Sequence, residues 1–170
     1  KAIRFGSYMT TLEAINKVKP GTIDPEQHEN QDYLAEALGG PEWETRATAA
    51  TLLGVNYWES CPTIPRLQAL LADPQVAVRA AAAWALGQCE LKAAGAIPAL
   101  VLALGDEHAT LRENAAAALG RIQGEPDQAV PALVLTLKDR VPQVRAAAAY
   151  ALSNFGLAAA EAVPTLEQAL

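Results

Sequence analysis

DPQVAVRAAAAWALGQ, Asp73 to Gln88, sets five alanines between Arg79 and Leu86 with Trp84 among them. Alanine is the best helix former, and its small side chain lets two helix backbones approach closely. The indole of Trp84 is then either a wedge between helices or a contact for a partner. On a helical wheel starting at Val78, the residues Ala82, Ala85 and Leu86 fall within about 80° of Val78, while Trp84 projects near 240°.

The stretch recurs. Arg46, Arg79, Arg112 and Arg145 are spaced by 33 residues, and so are Pro65, Pro98, Pro131 and Pro164. Leu53, Leu86, Leu119 and Leu152 keep the same interval, as do Ala49, Ala82, Ala115 and Ala148. Four independent series with one period mark an array of repeats. Each unit reads as two helices. The first covers Ile64–Ala72, with counterparts at Ile97–Gly105, Val130–Lys138 and Val163–Leu170. Proline at its start suits the first helical turn, where a missing N–H costs nothing. A turn with Asp73, Asp106 or Asp139 as the expected N-cap leads to a second helix over Gln75–Gly87, 108–120 and 141–153. Gly54, Gly87 and Gly120 stand where a left-handed C-terminal residue is expected, with Ser153 in the fourth place.

With DEHATLRENAAAALGRI at 106–122 and DRVPQVRAAAAYALSNF at 139–155, each after an IPALVLAL-like helix, the chain resembles HEAT-like repeats of the phycobilisome-lyase type over about residues 34–170. The resemblance implies an all-α fold: an α-solenoid of antiparallel helix pairs with a 33-residue period, wound into a right-handed superhelix. Ankyrin units share the period but carry a Thr-Pro-Leu-His signature that is missing here. The expected organisation is an N-terminal helical cap over 1–33, units over about 34–63, 64–96, 97–129 and 130–162, and a half unit over 163–170. Ser7 would cap a short first helix, and Asp24-Pro25-Glu26 opens the lead-in to the first unit. The uncapped end at Leu170 suggests an end-to-end contact.

Composition fits this reading. The 170 residues are 51% hydrophobic but only 5% aromatic, a balance that favours close-packed helices over sheets. A net charge of -6 argues against a nucleic-acid groove, which needs a basic surface. No apolar run reaches the roughly 18 residues of a membrane span. Cys61 and Cys89 form no Cys-x-x-Cys pair and read as free thiols in a reducing compartment, which places the protein in the cytoplasm.

Candidate binding residues follow from differences between units. The column of Thr51, Trp84, Ala117 and Tyr150 varies in size while the core columns stay Leu or Ala. Glu113 and Asn114 add polar groups to the same ridge of second helices, where a solenoid usually keeps its binding face. Tyr57 and Trp58 are adjacent aromatics in an inter-unit loop, either partner contacts or a cover for the first unit. Seven acids and no base between Asp24 and Glu44 form either a solvated face or a dock for a basic partner. The arginines Arg79, Arg112 and Arg145 keep a six-residue offset from Asp73, Asp106 and Asp139, which suggests a structural ladder tying the stack together. Arg46 has Gly40 at that offset, so it is the rung expected to be available to a ligand.

Catalysis finds little footing. His28 and His108 lack metal-ligand spacing, and no glycine-rich phosphate loop occurs, so neither metal nor cofactor is expected. The leading expectation is a non-catalytic scaffold that binds a protein or peptide along the second helices. The resemblance implies an alternative, a bilin lyase-like subunit or tetrapyrrole-handling protein in which Arg46 or another ladder arginine holds a propionate. A HEAT-like DNA glycosylase is a third reading, disfavoured by the acidic balance.

Overall fold

The computed structural model describes residues 30–56 and 63–160. Eight α-helices lie wholly within these segments: α1 (Asn30–Ala37), α2 (Trp43–Asn56), α3 (Ile64–Ala69), α4 (Val76–Gln88), α5 (Ile97–Ala103), α6 (Ala109–Ile122), α7 (Pro126–Thr136) and α8 (Pro142–Phe155), with further helical residues at 157–160. They pair as α1–α2, α3–α4, α5–α6 and α7–α8. The second helices α2, α4, α6 and α8 stack side by side, and the first helices form a layer against them. No strand occurs among the described residues.

The repeated columns explain the stack. Ala49, Ala82, Ala115 and Ala148 are fully buried, and Leu53, Leu86 and Leu119 lie in the core beside them. Each buried leucine contributes about 1.5–3 kcal/mol through removal of apolar surface from water. Val78, Ala82, Ala85 and Leu86, the stripe on one side of α4, are all sealed from solvent.

The repeated glycines do a different job from the one expected. Gly54, Gly87 and Gly120 lie inside α2, α4 and α6, and the one glycine with positive φ among the described residues is Gly156, at the end of α8. A Cβ on Gly87 would sit 2.9 Å from the Cα of Ala118, and one on Gly120 would sit 2.5 Å from the Cα of Ala151. Glycine recurs because the next second helix crosses there at backbone distance. In α6 the left-handed cap is supplied by Gln123 instead.

The turn aspartates are also displaced from their expected place. The residues that precede α4, α6 and α8 are Gln75, His108 and Val141, none with a side-chain cap. Asp73, Asp106 and Asp139 stand two residues earlier, where each carboxylate accepts the N–H of Gln75, His108 or Val141 at 2.9, 2.8 and 2.8 Å. These are Asx turns, which preset the chain direction into the helix. Boundaries shift too. α3 tightens into a 3-10 turn over Leu70–Ala72, and α7 begins at Pro126, so that Pro131 falls inside the helix.

Cys89, at the end of α4, is disulfide-bonded, which corrects its reading as a free thiol. Cys61, the other cysteine of the chain, lies outside the described residues. In a repeat array, residues about one period apart become spatial neighbours, so a wide spacing in sequence says little about distance. The argument for a reducing compartment rested on free thiols and falls with them. Among the described residues no helix is long and apolar enough to cross a membrane.

Candidate functional site

The ladder arginines reach forward to the next unit. Arg46 donates from Nε and Nη2 to Asp73 at 2.7 and 3.1 Å, and Arg112 does the same to Asp139 at 2.6 and 2.9 Å. Both pairs are bidentate, the geometry in which guanidinium and carboxylate bond most strongly. Nη1 of each arginine meanwhile holds the carbonyls of its own turn: Gly40 and Pro41 for Arg46, Asp106 and Glu107 for Arg112. The six-residue offset therefore marks a bond to a backbone oxygen, and the acid belongs to the unit 27 residues on. This corrects the reading of Arg46. Gly40 offers the same carbonyl that an aspartate would, and Arg46 is fully engaged between turn and neighbour.

The other two rungs are less complete. Arg79 reaches Asp106 through Nη2 at 3.0–3.1 Å, while its buried Nε makes no hydrogen bond. His108 lies against this rung, with Nδ1 at 3.3 Å from Asp106 and 3.4 Å from Arg79 Nη2. Arg145 donates to the carbonyls of Asp139 and Arg140 and is exposed. Burial by itself would raise the carboxyls of Asp73 and Asp106. For Asp73, the Arg46 guanidinium and the Gln75 N–H more than offset it; for Asp106, the His108 N–H and Arg79 do so, and both groups end below the usual carboxylate range. The hydrogen bond from Arg112 leads in lowering Asp139, against a smaller effect of burial. Hydrogen bonding to these acids likewise raises Arg46 and Arg112.

The variable ridge presents a different surface. Trp84 is half-buried and leans across α2: a Cβ built on Gly54 would meet its ring at 2.7 Å. With Val55, Gln88 and Glu90 it borders a shallow concavity of about 350 Å³. Thr51 turns its hydroxyl back to the Ala47 carbonyl, the small Ala117 is half-buried, and Tyr150 stands 66% exposed. Glu113 is exposed, whereas Asn114 donates to the Ala80 carbonyl of the preceding second helix at 3.3 Å. Two further bridges of this kind were not legible in sequence: Asn154 to the Gly120 carbonyl, and Arg121 to Gln88. Both come from one column, Val55, Gln88, Arg121 and Asn154, whose residue type changes in every unit. Tyr57, Trp58 and His28 lie outside the described residues, as do the proposed cap helices and Asp24, Glu26 and Glu29 of the acidic stretch, whose other four acids, Asp32, Glu36, Glu42 and Glu44, are exposed. Among the described residues no three His, Cys, Asp or Glu side chains gather in a way that could hold a metal.

This geometry of paired helices, forward-reaching arginines and glycine crossings coincides with a family match. The profile for HEAT repeats matches residues 32–101, 64–153 and 97–170. The chain belongs to the HEAT-repeat family. No curated protein sequence matches it. Among solved structures, this HEAT-repeat protein is similar to the complex of CpcE and CpcF of phycocyanin lyase from Nostoc sp. PCC7120, with 29% identity and a TM-score of 0.67 over 78% of this chain and 55% of that one. The HEAT array thus spans about half the length of that lyase chain. It also shares its fold with a designed armadillo repeat protein in complex with the peptide (KR)4, at 22% identity, TM-score 0.63, and 79% and 72% coverage. An engineered protein matches at 23% identity and TM-score 0.65, covering 78% of this chain and 68% of its own.

Proposed function

We propose that this HEAT-repeat chain is a non-catalytic scaffold that binds a protein or peptide along the row of second helices. The observation that carries the reading is the contrast within that row. Its frame columns are repeated and buried, while its outward positions change from unit to unit and include Tyr150 in solvent. A constant frame with variable outward residues is how a solenoid keeps specificity. Tyr150, Glu113 and the open edge of Trp84 are the contacts, and Ala117 leaves room between the two aromatics. Arg46 drops out because Asp73 holds it, and Asn114 acts first as a bridge between helices.

The test is recovery of a bound protein by the purified chain, followed by Tyr150→Ala and Glu113→Lys. Neither side chain carries packing in the stack, so loss of recovery at unchanged helicity supports the site. Unchanged recovery with both substitutions removes it.

A second reading rests on the likeness to phycocyanin lyase. It has the chain handle a linear tetrapyrrole, with the ridge aromatics stacking on the pyrroles. Mixing the chain with a bilin would then shift the visible absorbance, and an unshifted spectrum counts against it.

A further inference from the structure

The first-helix layer carries a feature that the scaffold reading leaves unused. α5 has the sequence IPALVLA, without one polar side chain. A helix that is apolar all round belongs in an interior. Yet only Ile97, Leu100 and Ala103 are buried, while Pro98 faces solvent and Leu102 is 80% exposed. The same position in α7, Leu135, is 55% exposed, and Val101 and Val134 lie half-buried on the two helices. In α3 the counterparts of Val101 and Leu102 are Gln68 and the small Ala69, with the exposed Arg66 on the same helix. The apolar patch is therefore local to α5 and α7 and is not a general property of the repeat. Contiguous apolar surface of this kind marks an interaction site.

We infer that this face pairs with the same face of a second copy of the chain. The patch offers no side-chain donor, acceptor or charge, so its partner must be an apolar helical ridge. A two-fold axis lying across the helices sets α5 over its copy and α7 over its copy, each pair antiparallel. Charge at the ends of α7 complements itself under that operation. Asp127, exposed in the first turn, comes to the end where Lys138, exposed just past the last turn, stands in the partner copy. A closed two-fold contact of this type is the commonest route to a dimer. It uses the layer away from the second-helix row and leaves the proposed scaffold face open.

Analytical ultracentrifugation of the full chain from about 1 to 200 µM tests this. A dimer of twice the 17.9 kDa chain mass is expected within that range. Leu102→Asp and Leu135→Asp place a carboxylate in the apolar contact, so each should weaken association by at least about 50-fold at unchanged helicity. Asp127→Lys should weaken it several-fold, and Asp127→Lys with Lys138→Asp should restore it, which a non-specific sticky patch would not do. A chain that stays monomeric to 200 µM overturns the inference. So does a dimer, or a larger aggregate, that ignores the leucine substitutions.

Discussion

Replacing Arg112 with alanine removes two bonds to Asp139, at 2.6 and 2.9 Å, and two to the carbonyls of Asp106 and Glu107. The arginine is 5% exposed, and the Asp139 side chain left behind is 11% exposed. Removing one partner of a buried ion pair costs about 3–5 kcal/mol, chiefly because the other charge is stranded. Asp139 keeps the Val141 N–H and a little water, which places Arg112→Ala near the lower end, about 3 kcal/mol. Arg145→Ala is the internal control. It loses only carbonyl bonds at an exposed site, worth about 0.5–1 kcal/mol. Urea unfolding followed by circular dichroism at 222 nm reads the difference. With a slope of about 1.5–2 kcal/mol/M, the Arg112→Ala midpoint should fall by roughly 1.5–2 M and that of Arg145→Ala by under about 0.7 M. Adding Asp139→Asn to Arg112→Ala should recover part of the loss by removing the stranded charge. Equal costs for the two arginines, within about 0.5 kcal/mol, would refute the claim that the acid of the next unit is what makes a rung strong.

Gly120→Ala should destabilise the chain by about 1–3 kcal/mol despite the better helix propensity of alanine, since the new Cβ meets the Ala151 backbone at 2.5 Å. Gly95→Ala, with nothing within 4 Å, should stay within about 0.5 kcal/mol, and the same urea curves compare the two. Acid lability is the third expectation. Asp73, Asp106 and Asp139 are all held below their ordinary values, so the stability they supply is present above the unfolded carboxyl value near 4 and is lost as pH falls through the lowered native values. The urea midpoint should hold from pH 7 to about 5 and drop steeply below about 4. Asp139→Asn should flatten that drop, and an equally steep drop in the variant would count against the ladder as its source.

These expectations rest on features of unequal legibility. Helix number, order and the 33-residue period could be read directly, because a core column must repeat whenever the unit does. Ala82, Leu86 and Arg79 recur for that reason. What each recurring residue does was harder to read. A glycine near a helix end looks the same in sequence whether it caps that helix or lets a neighbour cross it. Only the 2.5–2.9 Å approach of Ala118 and Ala151 decides for crossing. An arginine six residues after an aspartate looks like its partner, although the backbone oxygen at that offset is what it holds.

By itself, then, the sequence determined the class of fold, the repeat length and the residues that build the frame. It also singled out the column in which Trp84 and Tyr150 break the pattern. The tertiary structure decided which unit each side chain serves. Stacking brings Asp73 to Arg46 across 27 residues, folds Trp84 onto Gly54, and leaves Leu102 and Leu135 in solvent on helices whose sequences read as core. The physical reason is common to all three. Periodicity encodes which residues are equivalent, while contacts between units depend on how far each helix pair is turned against the next, and that turn is set by packing.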